Sequence, residues 1–349
     1  MVGSWWEIPY ERYLSDALML SAVEQARLAA ALDCLPAEII DAHTHVARSI
    51  DVVALSPSAL THVISTYPCY TLEDGRRARE RLWPGKRVRA LRMAYPIEGY
   101  RHRDINEYLV ANANLYEDIV GGYGIPDDIN YTLQLIDSGH IHALKMYYRY
   151  REPGVDRILD IFPAPILQQA QGCGIPIILH LPRPLPQCLD ELIAVLDSFP
   201  QLTVVLAHLG GPGGQRFDPI IVPAYERLAR YSRVYMDTAF VLDADLIANA
   251  LQLFGHERIL FGTDEPLSLI RGVNYLHPIH GHRLYAPEYH WSQDDAPPTE
   301  MRRATPTLLH IQQVEAVLTA LRSFSCDAVN AVFYRNAAQL FGLAPHGTV

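Results

Sequence analysis

Eight short apolar runs, rich in β-branched residues, constrain this 349-residue chain more than any other feature: 39–45, 88–95, 117–122, 142–148, 175–180, 202–208, 233–238 and 258–264. Helical patterns separate most of them, over 104–115, 127–137, 156–172, 186–198, 219–231 and 243–254. Strands alternating with helices predict parallel βα units. Continuous apolar runs, rather than alternating ones, fit strands covered on both faces. Eight such units close most economically as a distorted (β/α)8 barrel of the α/β class. The competing architecture is an open doubly wound sheet, but no glycine-rich nucleotide loop follows the first run. Gly121-Gly122-Tyr123-Gly124 lacks phosphate-loop spacing and is expected to be a tight βα turn.

The flanks fall outside the alternation. Residues 1–37 predict an N-terminal helical arm, with Leu14, Leu18, Val23, Ala26 and Leu32 available for an apolar face and Pro36 ending it. Residues 38–349 then form one barrel domain, with two C-terminal helices near 307–323 and 327–342. Between the last run and those helices, 266–306 reads as an inserted loop after strand 8, rich in proline, histidine and aromatics and without a clear period. A loop of that length in a compact domain is usually functional.

Composition narrows the partners. A net charge of −10 without a basic stripe speaks against nucleic acid. No run of about 18 apolar residues predicts a membrane span. The first ten residues lack a basic secretory pattern, and five scattered cysteines without Cys-x-x-Cys spacing fit free thiols. A cytoplasmic protein with a small-molecule substrate is expected, with a homodimer as the default assembly.

The ends of the runs carry the chemistry. Residues i and i+2 of a strand project from one face, so His43 and His45 in Asp41-Ala42-His43-Thr44-His45 present two imidazoles together. Lys145 sits within the fourth run, His180 and His208 end the fifth and sixth, and Asp264 ends the eighth. In a parallel barrel these positions converge on one mouth, where active sites lie.

The order of these segments resembles the amidohydrolase superfamily, in its amidohydrolase-related branch. The resemblance rests on Asp41-Ala42-His43-Thr44-His45, Ala143-Leu144-Lys145, Leu179-His180, Ala207-His208-Leu209-Gly210-Gly211, Phe261-Gly262-Thr263-Asp264-Glu265-Pro266 and Asn336-Ala337-Ala338-Gln339-Leu340-Phe341. It runs from about residue 39 to 343 and omits the arm. It implies a metal at the barrel mouth and hydrolysis of amides, lactones or related bonds. Some members instead decarboxylate aromatic or unsaturated acids without redox chemistry.

On that basis a divalent metal, zinc or another such as manganese, is expected on His43, His45, His180 and Asp264, with an open position for water. Asp264 would move the proton, and His208 would stabilise developing charge or bind a second metal. Arg183, Tyr147, Arg149 and Arg151 follow strand ends and are candidate substrate contacts. Of 29 lysines and arginines only Lys86 and Lys145 are lysines, so an amine at Lys145 points to a need that guanidinium cannot meet. One metal with an unmodified Lys145 is expected; a carboxylated Lys145 would bridge two. The resemblance also implies that decarboxylases often lack this lysine, and that several carry an acid in place of the first histidine. Both features here lean towards a hydrolase.

Overall fold

Each apolar run forms a strand, as β-branched and aliphatic side chains buried on both faces of a sheet should. The computed structural model describes residues 10–147, 155–211, 217–277, 281–287, 289 and 297–343. β1 (Glu38–Val46), β2 (Arg87–Ala94), β3 (Asp118–Tyr123), β4 (Ala143–Met146), β5 (Ile177–Leu179), β6 (Val204–Leu206), β7 (Val234–Asp237) and β8 (Ile259–Leu260) pair in chain order, all parallel. β8 returns to β1 through irregular bonds: the Ala42 amide donates to the Phe261 carbonyl and the Asp264 amide to the His43 carbonyl, both at 2.8 Å. The result is a nearly closed (β/α)8 barrel. Ile40, Leu91, Ile119, Ile178, Val205 and Leu260 fill its interior. Their neighbours along the strands, such as Ile39, Ile177 and Leu179, belong to the outer core layer.

The arm consists of α1 (Tyr10–Ala17) and α2 (Ala22–Asp33). α2 starts in a capping box between Ser21 and Glu24. Two helices that the pattern does not predict follow β1: α3 (Pro57–Ser65) and α4 (Leu72–Leu82). α4 is so densely charged that its low mean hydropathy masks the buried stripe of Leu72, Ala78 and Leu82. Outside the barrel then lie α5 (His102–Asn112), α6 (Ile129–Asp137), α7 (Ile158–Ile161), α8 (Ala164–Cys173), α9 (Leu185–Ser198), α10 (Val222–Leu228) and α11 (Ala244–Phe254).

The 266–306 insertion is not one loop. It contains a hairpin of β9 (Arg271–His277) and β10 (Gly281–Tyr285), with the short helix α12 (Thr299–Arg303) beyond it. β11 (Thr307–Leu308) pairs with the other edge of β9. α13 (Leu309–Ala320), α14 (Cys326–Asn330) and α15 (Asn336–Leu340) complete the chain, and a π turn over Ala331–Arg335 interrupts what the sequence predicts as one final helix. Ala337 and Phe341 pack into the inner core, and the Asn336 amide donates to the Ile259 and His256 carbonyls. The N-terminal end of the barrel is thereby plugged. Gly121 and Gly122 belong to β3 rather than to a turn. A Cβ on Gly121 would meet Met93 Cγ at 2.5 Å, so close packing of neighbouring strands excludes a side chain there. No helix among the described residues is long and apolar enough to cross a membrane.

Candidate metal centre

The register of β1 slips between Asp41 and Thr44, where the strand turns its histidines into the mouth. Asp41 fixes the slip. Its Oδ1 accepts from the amides of His43 (3.2 Å) and Thr263 (3.0 Å), and its Oδ2 from the Thr263 hydroxyl (2.6 Å). Asp41 therefore ties the end of β1 to the segment carrying Asp264. Burial raises its carboxyl to about 7, Glu265 adding to the rise and the Thr263 hydrogen bonds opposing it.

The tautomers of both histidines follow from their partners. His45 Nδ1 faces the Ala94 carbonyl at 3.2 Å; a carbonyl only accepts, so Nδ1 carries the proton and Nε2 a lone pair. His43 Nδ1 meets Asp237 Oδ2 at 2.8 Å, which imposes the same tautomer. Asp264 Oδ1 then lies 3.1 Å from His45 Nε2 and 3.7 Å from His43 Nε2. Two lone-pair nitrogens around a carboxylate oxygen repel unless a proton or cation sits among them. Burial lowers the pKa of both imidazoles, which disfavours the proton. Two nitrogens and one carboxylate oxygen, all within 4.8 Å of one another, fit a divalent cation of the zinc or manganese kind.

Burial alone would raise the Asp264 carboxyl, but the surrounding imidazoles of His45, His208 and His43 hold it far below the usual carboxylate range. Its backbone is in the left-handed region (φ 62°), as are His208 (55°), Leu209 (53°) and Phe240 (51°). All four lie just beyond strand ends at the mouth, and strained non-glycine backbone of this kind clusters at functional sites.

Lys145 projects from β4 with Nζ 3.4 Å from His43 Nε2. Burial lowers its amine to about 8 against the attraction of Asp237 and Asp264. His208 Nδ1 lies 2.7 Å from the Ala239 carbonyl, which makes its Nε2 a proton acceptor. His180 stacks on Tyr147 (centroids 3.9 Å, 15°) and meets His208 edge-on at 4.9 Å. His180 lines the cavity, as do Tyr147, Lys145 and His208, but it is not one of the three mutually close donors. Arg183 is turned elsewhere, onto the Asp156 carbonyl and Glu191. Arg149 and Arg151 lie outside the described residues.

Sequence reasoning missed several members. Asp237 ends the seventh run as the metal-type residues end theirs. Besides holding His43, its Oδ1 accepts from the amides of His208 (2.9 Å) and Ala239 (3.1 Å). Buried Arg92 lies 3.2 Å from Glu265 and 3.5 Å from Asp118, and Glu265 also accepts from the Tyr70 hydroxyl. This pins the chain directly after Asp264. His62 and Tyr95 line the cavity as well; no motif announces them.

A family model described as amidohydrolase matches residues 40–343. No curated protein is significantly similar in sequence. An amidohydrolase from Burkholderia multivorans with bound zinc has a similar structure (TM-score 0.59, 14% identity), covering 88% of this chain and 100% of that one. A 5-carboxyvanillate decarboxylase from Novosphingobium aromaticivorans, complexed with manganese and 4-hydroxy-3-methoxy-5-nitrobenzoic acid, gives 0.55 at 13% identity, covering 87% and 96%. A putative 2-pyrone-4,6-dicarboxylic acid hydrolase from Pseudomonas putida gives 0.51 at 15% identity, covering 88% and 98%. At these identities the likeness is one of fold.

Proposed function

This chain belongs to the amidohydrolase family, and we propose that it is a metal-dependent hydrolase cleaving a C–N or C–O bond, of the amide or lactone type, in a small carbonyl compound. The observation that carries the proposal is the convergence of His43 Nε2, His45 Nε2 and Asp264 Oδ1 in one buried cavity, with Lys145 beside them. These three residues would hold zinc or manganese, the ions named for two structures of similar fold, with His180 as a further candidate ligand. Such an ion, when bound, acidifies a coordinated water and polarises a carbonyl.

The chain's own residues supply the rest. Asp237 keeps the proton of His43 on Nδ1, so that Nε2 stays available. Asp264, ionised well below neutral pH, takes a proton from the attacking water on a carboxylate oxygen and hands it to the departing nitrogen or oxygen. His208 Nε2 is a second proton acceptor at the same cavity. Lys145 offers N–H groups to a substrate oxygen, as an unmodified amine beside a single ion. The barrel interior below is filled with aliphatic side chains.

The test is an assay of zinc- or manganese-loaded protein against lactones, amides and aromatic acids, following hydrolysis products and carbon dioxide together. The expected result is opening of a lactone or amide, abolished by a chelator and restored by the ion. Carbon dioxide release without hydrolysis would assign a non-oxidative decarboxylase on the same scaffold.

A further inference from the structure

Arg92 does not line the cavity, yet it touches both segments that carry the candidate ligands. Its neighbours on β2, Leu91 and Met93, belong to the inner core. Alternation along the strand therefore turns Arg92 outward, towards α4. It is fully buried there and tightly enclosed. A Cβ on Gly75 of α4 would come within 2.4 Å of Arg92 Nη2, so the helix makes room for the guanidinium only by having a glycine at that point.

A buried cation is tolerated only when it is paired, and the partners of this one lie on the seam between β1 and the end of the barrel. Nε is 3.5 Å from Asp118 of β3. Nη1 donates to Thr44 Oγ1 and to Glu265 Oε2, each at 3.2 Å. The Thr44 hydroxyl donates in turn to the Leu91 carbonyl at 2.6 Å, so it accepts from the guanidinium. Thr44 stands between His43 and His45, and Glu265 follows Asp264. One nitrogen thus joins the strand that holds two donors to the turn that holds the third. Backbone pairing is thin at this point. β8 ends at Leu260, and beyond it Thr44 and Glu265 form an isolated bridge, in which the His45 amide donates to the Glu265 carbonyl at 2.6 Å.

We propose that Arg92 is a positioning residue of the metal centre: from outside the barrel it braces Thr44 against Glu265 and so holds His43 and His45 at the separation from Asp264 that a divalent cation needs. The proposal rests on the reading of those three residues as a metal centre.

The test uses cobalt(II), whose visible bands report the number and arrangement of its ligands. It is titrated, with a chelating dye as competitor, into the metal-free wild type, Arg92→Lys and an Arg92→Met, Glu265→Gln double variant. Lysine keeps a buried cation, but one ammonium cannot span Asp118 at one end and Thr44 with Glu265 at the other. The double variant removes cation and anion together, and Asp118 keeps Arg76 and Arg79, so no unpaired charge is left inside. Both variants should still unfold cooperatively. Arg92→Lys should bind cobalt about tenfold more weakly than the wild type and the double variant up to about 100-fold more weakly, each with altered band intensities. Wild-type affinity and bands in Arg92→Lys and the double variant, even at lowered stability, would make Arg92 a structural residue and overturn the proposal while the metal centre stands. If the double variant does not fold, Arg92→Lys decides by the same criteria. A wild type that binds no cobalt would overturn the metal-centre reading and this inference with it.

Discussion

Asp237 touches no candidate substrate position, yet it sets the proton of His43 and the backbone at His208. Asp237→Asn offers an amide where His43 needs an acceptor, and should weaken zinc binding about 10- to 100-fold. Competition with a chelating dye measures it. Asp264→Asn tests the ligand itself. Asparagine tolerates the left-handed backbone at this position, so the fold should persist while turnover falls more than about 100-fold. A melting temperature that collapsed with the activity would instead make Asp264 a structural residue. His310 gives a prediction of a different kind. It packs edge-on against Trp83 at 5.0 Å, and neither ring nitrogen has a hydrogen-bond partner among the described residues. Burial pushes its pKa down to about 3. The unfolded chain takes up that proton near pH 6.5 and the folded chain does not, so stability falls as pH drops from about 6.5 towards 3. His310→Phe keeps the ring contact and removes the titration. Its melting temperature should decline less steeply than that of the wild type between about pH 6.5 and 4; parallel curves would contradict the linkage.

The elements differ in how they are fastened, and a buried carboxylate adds to the apolar packing that holds the arm. Glu24 of α2 accepts from the Ser21 and Leu308 amides at 2.9 Å each and from Arg271 Nε at 3.2 Å, joining arm, β9 and β11. Glu24→Ala leaves the buried Leu308 amide without its acceptor and should cost about 1–3 kcal/mol, seen in chemical denaturation, with metal content unchanged. The half-exposed Arg27–Glu315 pair should matter far less. What each element shows of itself in the sequence follows from its burial. The eight strands are legible because both faces are covered, and the strand-end histidines because a barrel has only one mouth for them. α4 hides behind its charges, and α3, which carries His62, was missed with it. The hairpin within 266–306 has one partly exposed face and no regular alternation, so it reads as loop. Asp237 is open to the same logic as Asp264, since it too ends an apolar run. Arg183 follows a strand end as the logic asks, yet Glu191 on the next helix holds it away from the cavity.

At the scale of the whole molecule, the barrel is what makes a site out of residues spread from His43 to Asp264. Chain-order pairing places β1 beside β8, and the Asp41–Thr263 bonds lock the two ends together. α15 closes the opposite end, with Ala337 and Phe341 packed into the inner core. The insertion borders that mouth, since Leu267 lines the cavity and Tyr289 packs on His62. The central claim is that this mouth holds a divalent ion on His43, His45 and Asp264. The most direct measurement is the zinc and manganese content of the purified chain, after loading and dialysis, beside that of a His43→Ala, His45→Ala double variant. The wild type should retain about one ion per chain and the variant almost none. A wild type that keeps less than about a tenth of an equivalent, or a variant that keeps as much as the wild type, would contradict it.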